Sequence, residues 1–205
     1  MKIVAQNLEK RYNRRLIFSL SAEFSGTVPY LVSGPNGSGK STLLQILWGQ
    51  MLPSRGALSY SFQGKNIEPE NIFSYISIAA PYMDLIDEFT LEEMLSFHFR
   101  FKKLAEGITF ENILKIMELE EHAHKKTGEF SSGMKQRAKL GLAFASDSPL
   151  LFLDEPCTNL DEKGVRWYQN QLEKAGNRLI IIASNQEFER PKVFRKIDLS
   201  KDSYG

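Results

Sequence analysis

The stretch Leu31–Thr42, "LVSGPNGSGKST", constrains this chain more than any other. An apolar run leads into it. Apolar positions at helical spacing, "KSTLLQILWG", lead out of it and stop at Gly49. Gly34, Gly39, Lys40 and Ser41 match the pattern G-x-x-x-x-G-K-[ST] in the context that the pattern requires, a strand before and a helix after. Glycines let the backbone turn tightly and come close to a phosphate, so that successive amide hydrogens point at its oxygens. The helix that follows adds its positive end. Lys40 is then expected to reach β- and γ-phosphates, and the Ser41 hydroxyl to bind Mg²⁺. Asn36, Gly37, Ser38 and Thr42 complete the candidate nucleotide-binding set. The alternative is a glycine-rich turn that binds nothing, and the strand–loop–helix context argues against it.

A phosphate loop needs an acidic partner on another strand. "PLLFLDEP" supplies one, with four apolar residues, Leu150 to Leu153, ending in Asp154 and Glu155. Asp154 is a candidate for holding Mg²⁺ through its water shell. Glu155 is a candidate for orienting or deprotonating an attacking water. Two acids at a strand end often merely cap the next helix; beside a phosphate loop the functional reading is preferred.

Strand-like runs begin the chain ("KIVAQNL", "LIFSLSAEF", "PYLVS") and follow the first helix ("GALSYSF", "NIFSYISIA"). "TLEEMLSFHFRFKKLAEG" opens with Thr90 and Glu93 at capping-box spacing. "TFENILKIMELEEHA" is a second helix candidate. Phe97, Phe99 and Phe101 alternate with period two, as a strand would, but the cap and the charge pattern outweigh them. Residues from about 82 to 147 therefore read as helical. Beyond them come the strand "LLFLD", a helix from about Glu162 to Ala175, the strand "RLIIIA" and a final strand near "VFRKIDL". Alternation of strand and helix predicts an α/β fold with a mostly parallel sheet.

Composition excludes several classes. With 205 residues, the chain can bury a sizeable core. A formal net charge of +1 gives no field to draw it onto nucleic acid or acidic lipid, and no nucleic-acid partner is expected. Cys157 is the only cysteine, which rules out an internal disulfide and favours a reducing compartment. "MKIVAQNLEK" reads as neither a signal nor a transit peptide, and no apolar run approaches the roughly 18 residues that span a bilayer.

Between the two phosphate-handling motifs lies "EFSSGMKQRAKLGLAFA". With it the chain resembles the nucleotide-binding cassette of the ATP-binding cassette (ABC) family, whose signature has the form LSGGQ. Phe130-Ser131-Ser132-Gly133-Met134 occupies that place, with Phe for Leu, Ser for the first Gly and Met for Gln. "TNLD" resembles the D-loop, ending at Asp161, and Tyr12 in "LEKRY" matches the aromatic that stacks on adenine. The bland alternatives are an ordinary serine helix cap and a surface tyrosine. The resemblance covers essentially the whole chain. It implies one P-loop ATPase domain over residues 1–205, with an antiparallel β lobe and an inserted helical subdomain. It further implies ATP and Mg²⁺ as ligands, and a head-to-tail dimer, taken as a homodimer. In that dimer Ser131, Ser132, Gly133 and Met134 of one copy close on the nucleotide of the other.

Two further departures matter more. A glutamine is usual at the end of the strand "YISIA", where this chain has Ala80 and Pro81; Tyr82 and Asp84 are the nearby substitutes. A histidine is usual in the stretch "IIIASNQE", where this chain has Asn185. Asparagine keeps an NH₂ donor but cannot titrate near neutral pH, so it is expected to sense nucleotide while positioning water less well. The function expected from the resemblance is a cytoplasmic ATPase subunit that works through an integral membrane permease. The alternatives are a weakly catalytic ATP-binding module and a soluble ABC ATPase outside transport.

Overall fold

The computed structural model describes residues 1–200. The expectation of one cassette over 1–205 runs on into 201–205, which lie outside the described residues. Two sheets form. Strands β1 (Lys2–Tyr12), β2 (Arg15–Ser25), β4 (Arg55–Phe62) and β5 (Lys65–Ile67) make an antiparallel sheet in the order β2-β1-β4-β5. Strands β3 (Tyr30–Ser33), β6 (Ile76–Ala79), β7 (Leu150–Asp154), β8 (Leu179–Ala183) and β9 (Arg195–Asp198) make a parallel sheet in the order β6-β7-β8-β3-β9.

The central parallel strands are short apolar runs because both of their faces are covered. Successive residues point to opposite sides. Tyr30, Val32, Leu150, Phe152, Leu179 and Ile181 join one core with β1, β2 and helix α1 (Lys40–Leu47). Leu31, Leu151, Leu153, Ile180 and Ile182 join a second core with helices α4 (Ser132–Ala145) and α5 (Glu162–Lys174).

Helices α2 (Leu91–His98) and α3 (Phe110–Met117) join one side of α4 in a third core, around Leu91, Leu95, Ile113, Met117, Ala138 and Leu142. The capping box at Thr90 is present: Thr90 Oγ1 accepts from Glu93 N at 3.2 Å, and Glu93 Oε2 accepts from Thr90 N at 2.7 Å. A second box joins Thr109 and Asn112, which the sequence did not suggest because Asn stands where Glu or Gln is usual.

Three elements differ from expectation. In "NIFSYISIA", Pro69 starts a 3-10 turn, Pro69–Tyr75, and only Ile76–Ala79 is strand. The helix opening at Thr90 stops at His98, and Phe97, Phe99 and Phe101 straddle its end rather than forming a strand. Phe97 stacks edge-on to Phe101 at 5.3 Å, and Phe99 to Phe110 at 5.8 Å. "TFENILKIMELEEHA" ends its helix at Met117, where Glu118 turns left-handed at φ 53°.

Replacing Thr90 by alanine removes one of the acceptors at the start of α2 and should cost about 1 kcal/mol. For a domain of this size that lowers the melting temperature by about 2–4 °C. Thermal unfolding by circular dichroism checks this, and an unchanged melting point would show that α2 is held by packing alone.

Candidate nucleotide site

The phosphate loop connects β3 to α1. Gly39, immediately before α1, has φ 95°, and a Cβ there would come within 2.7 Å of Ile17 Cγ2 and 2.9 Å of Phe18 Cδ1. Only glycine fits both the backbone and the space. No side chain caps α1, so its first amide hydrogens remain available to an anion. Lys40 is 6% exposed, and its ammonium folds back to donate to the carbonyls of Gly34 (3.0 Å) and Pro35 (3.4 Å). Burial pushes its pKa down, while the Glu155 and Asp154 carboxylates push it up. Ser38 Oγ is buried in the loop without a partner.

Strand β8 lies between β3 and β7. In register, Val32 and Asp154 both face Ala183, so the three strands end level with one another. Their carboxyl ends are where an open α/β sheet places its ligand. Asp154, at the end of β7, is 1% exposed. Burial pushes its carboxyl pKa up; the Ser41 hydroxyl draws it down, Glu155 adds to the rise, and Tyr82 and Lys40 oppose it. The two hydroxyls stand close enough to act on the carboxylate, yet neither Asp154 oxygen accepts a hydrogen bond of good geometry. A buried, unpartnered carboxylate beside a hydroxyl suits a hard cation with oxygen ligands, such as magnesium arriving with phosphate. Among the described residues no group of three or more His, Cys, Asp or Glu could hold a metal by itself.

Glu155 follows at φ 43°, a left-handed conformation that costs a side-chain-bearing residue energy. Its amide donates to the Ala183 carbonyl at 2.9 Å, so the turn is pinned to the end of β8 and the carboxylate is left exposed. Asn185, two residues beyond β8, donates through Nδ2 to Asn36 Oδ1 of the phosphate loop at 3.1 Å. The residue in the histidine position therefore already touches the loop it is expected to monitor.

Ala80 is buried and Pro81 exposed, and neither offers a side-chain donor. Their carbonyls accept from Lys139 Nζ, at 3.4 Å each. Of the two suggested substitutes, Tyr82 turns its hydroxyl toward Gln45 and Asp154, with its ring 6.5 Å from Trp48. Burial, and then the Asp154 charge, push its pKa up, so the hydroxyl keeps its proton. Asp84 acts on Lys139 instead.

Ser131 caps α4, its Oγ accepting from Met134 N at 3.2 Å. A Cβ on Gly133 would meet the Asn159 carbonyl at 3.0 Å. Ser131–Met134 and Asn159–Asp161 line one pocket of about 430 Å³ whose walls include no phosphate-loop residue. The chain thus does not bring its own signature segment to its own phosphate loop. Asp161 caps α5, accepting from Gly164 N at 2.7 Å. Met134 packs partly against the third core, which accounts for an apolar residue in a polar motif. Tyr12 ends β1 at 47% exposure, its hydroxyl 3.6 Å from Met51 Sδ and Lys10 Nζ 5.1 Å from its ring centre. It is a partly exposed aromatic at the end of its strand.

Sequence reasoning missed two contacts here. Gln136 of α4 donates to the Pro156 carbonyl at 2.7 Å, tying the signature helix to the acidic turn. Glu189, 2% exposed in the 3-10 turn Glu187–Glu189, accepts from Cys157 N at 2.7 Å. Nothing in the spacing of either residue marks it out.

The family model for ABC transporters matches residues 19–158. The Nod factor export ATP-binding protein I of Burkholderia orbicola (strain AU 1054) is 31% identical over 193 residues, which are 90% of this chain and 64% of that protein. The chain thus spans just under two thirds of that relative's length. The high-affinity zinc uptake system ATP-binding protein ZnuC of Bacillus subtilis (strain 168) is 30% identical, over 86% of this chain and 78% of that protein. A bacterial ABC transporter cassette solved as a dimer superposes with a TM-score of 0.77 at 20% identity, covering 97% of this chain and 94% of that one. With the phosphate loop, the acidic strand and the signature helix in the places described, the chain belongs to the ABC transporter family as an ATP-binding cassette of the P-loop NTPase fold.

Proposed function

We propose that this chain binds and hydrolyses Mg·ATP and powers a separate membrane permease. One observation carries the reading. Lys40, Asp154, Glu155 and Asn185 converge at the level ends of β3, β7 and β8, and the Asp154 carboxylate is buried there without a partner. On this reading Lys40 leaves the carbonyls of Gly34 and Pro35 for the β- and γ-phosphates, and the free amides of the loop and of α1 take the remaining oxygens. Asp154 and Ser41 would hold magnesium, whose chemistry is to neutralise charge on the phosphate oxygens. Glu155 orients the attacking water and accepts its proton. Asn185 moves its NH₂ from Asn36 to the γ-phosphate. Tyr82 takes the place of the family's glutamine, holding Asp154 from the start of the helical segment. Tyr12 offers its ring to adenine.

A second copy would supply Ser131, Ser132, Gly133 and Met134 to this nucleotide, with Asp161 and Asn159 at the same interface. Among the described residues no helix is long and apolar enough to cross a membrane, which suits a subunit placed at the cytoplasmic face through its permease. The relatives' names cover both export and zinc uptake; we infer that cargo and direction belong to the permease and that the cassette supplies work. One observation favours a second reading, a slow ATP-binding module paired with a competent cassette: Ala80 and Pro81 offer no side-chain donor.

Steady-state phosphate release from the purified chain tests both. Lys40→Ala should abolish tight ATP binding or turnover; wild-type turnover in that variant would overturn the phosphate-loop assignment. Asn185→Ala should lower turnover more than ATP affinity, by about 10-fold, at the low end for loss of one positioned donor. Asn185→His should preserve or raise turnover and add a pH dependence around the ordinary histidine range. Equal rates in all three forms would show that Asn185 only ends a strand.

A further inference from the structure

Glu189 is buried close to two other acids, Asp154 and Glu155, whose charges push its pKa further in the direction that burial already does. A carboxylate is costly in such a place unless its hydrogen bonds require it. It has two. Oε1 accepts from the Cys157 amide at 2.7 Å, and Oε2 accepts from the Ser184 hydroxyl. Ser184 Oγ in turn accepts from the Gln186 amide at 2.9 Å. The turn carrying Glu189 is itself held by α5, through Tyr168 to the Glu189 carbonyl at 3.1 Å and Gln169 to the Phe188 carbonyl at 2.9 Å.

The two segments that this carboxylate joins are the two that carry the hydrolytic side chains. Cys157 lies two residues after Glu155, and Ser184 immediately precedes Asn185. On its other side the acidic turn is held by Gln136 through the Pro156 carbonyl. We propose that Glu189 is a positioning residue, fixing the separation of Glu155 and Asn185 by clamping the acidic turn to the end of β8. The proposal rests on the ATPase reading above. Glu189 is 2% exposed, and acts through the loops that carry Glu155 and Asn185. A simpler role, merely satisfying the Cys157 amide, would affect stability without separating turnover from binding.

Two variants break the clamp from opposite sides. Glu189→Ala removes the carboxylate that accepts from Ser184, and with it the acceptor of the Cys157 amide. Ser184→Ala removes the same link while leaving the carboxylate in place, and serves if the first variant folds poorly. Each should lower kcat for phosphate release by about 10-fold or more, since a misplacement of about 1 Å can cost that much. KM and Kd for ATP should stay within about threefold of wild type. The double variant should be no slower than the worse single one, because both remove one interaction. Backbone amide exchange at Cys157, Thr158 and Asn159 in the nucleotide-free protein should rise by about fivefold or more in both variants.

The proposal is overturned if exchange at residues 157–159 is unchanged, if kcat is unchanged while wild type turns over, or if kcat and ATP affinity fall together. A wild type that releases no phosphate would remove the ATPase reading. The exchange measurement would then still decide whether Glu189 clamps the two loops.

Discussion

The site depends on one pairing, the insertion of β8 between β3 and β7. Through the common partner Ala183, parallel hydrogen bonding sets Val32 and Asp154 level. The phosphate loop, the acidic turn and Asn185 then begin from one edge. The Glu155 amide and the Ser184 amide extend that pairing past the strands, donating to the carbonyls of Ala183 and Val32 at 2.9 and 3.1 Å. A slip of one residue would exchange the two cores that the alternating side chains fill. The packing of Leu151, Leu153, Ile180 and Ile182 on one face, and of Phe152 and Ile181 on the other, therefore also fixes where the acids stand.

That edge is assembled at a cost to the fold. Lys40 is buried and turned onto its own loop, Asp154 is buried with no hydrogen-bond partner, and Glu155 sits in a left-handed conformation. Each is a local arrangement that packing alone would not select, and the first two would be relieved by a charged ligand. A phosphate offers Lys40 a better partner than a carbonyl. A cation offers one to Asp154.

Much of this was legible in the sequence because it depends on short-range patterns. The glycine spacing, the apolar run into Asp154 and the Thr90–Glu93 box each lie within a dozen residues. The elements that escaped depend on longer range or on finer chemistry. "NIFSYISIA" alternates like a strand, but Pro69 upstream starts a 3-10 turn that period two cannot reveal. The short strand Lys65–Ile67 exists only because β4 pairs with it. Glu189 looks like one more acid in a polar segment until α5 and the acidic turn close around it. The substitution of Asn185 was visible, but its bond to Asn36 joins residues far apart in the chain. The turn of Tyr82 toward Asp154 was likewise a matter of tertiary placement.

Helix α4 begins away from the phosphate loop of its own chain. Ser131, Gly133 and Asn159 line a pocket whose walls include no phosphate-loop residue, and Glu155 is exposed. On the proposed function, each chain carries two half-sites, one for its own nucleotide and one for that of a second copy. Light scattering of Glu155→Gln with and without Mg·ATP tests this most directly, because the amide keeps the shape of the side chain but cannot accept the proton from water. The account predicts a stable ATP-dependent dimer that dissociates when the nucleotide is removed. A variant that stays monomeric in saturating Mg·ATP, while wild type dimerises, would contradict the role given to Glu155. Monomers of both would contradict the paired half-sites themselves.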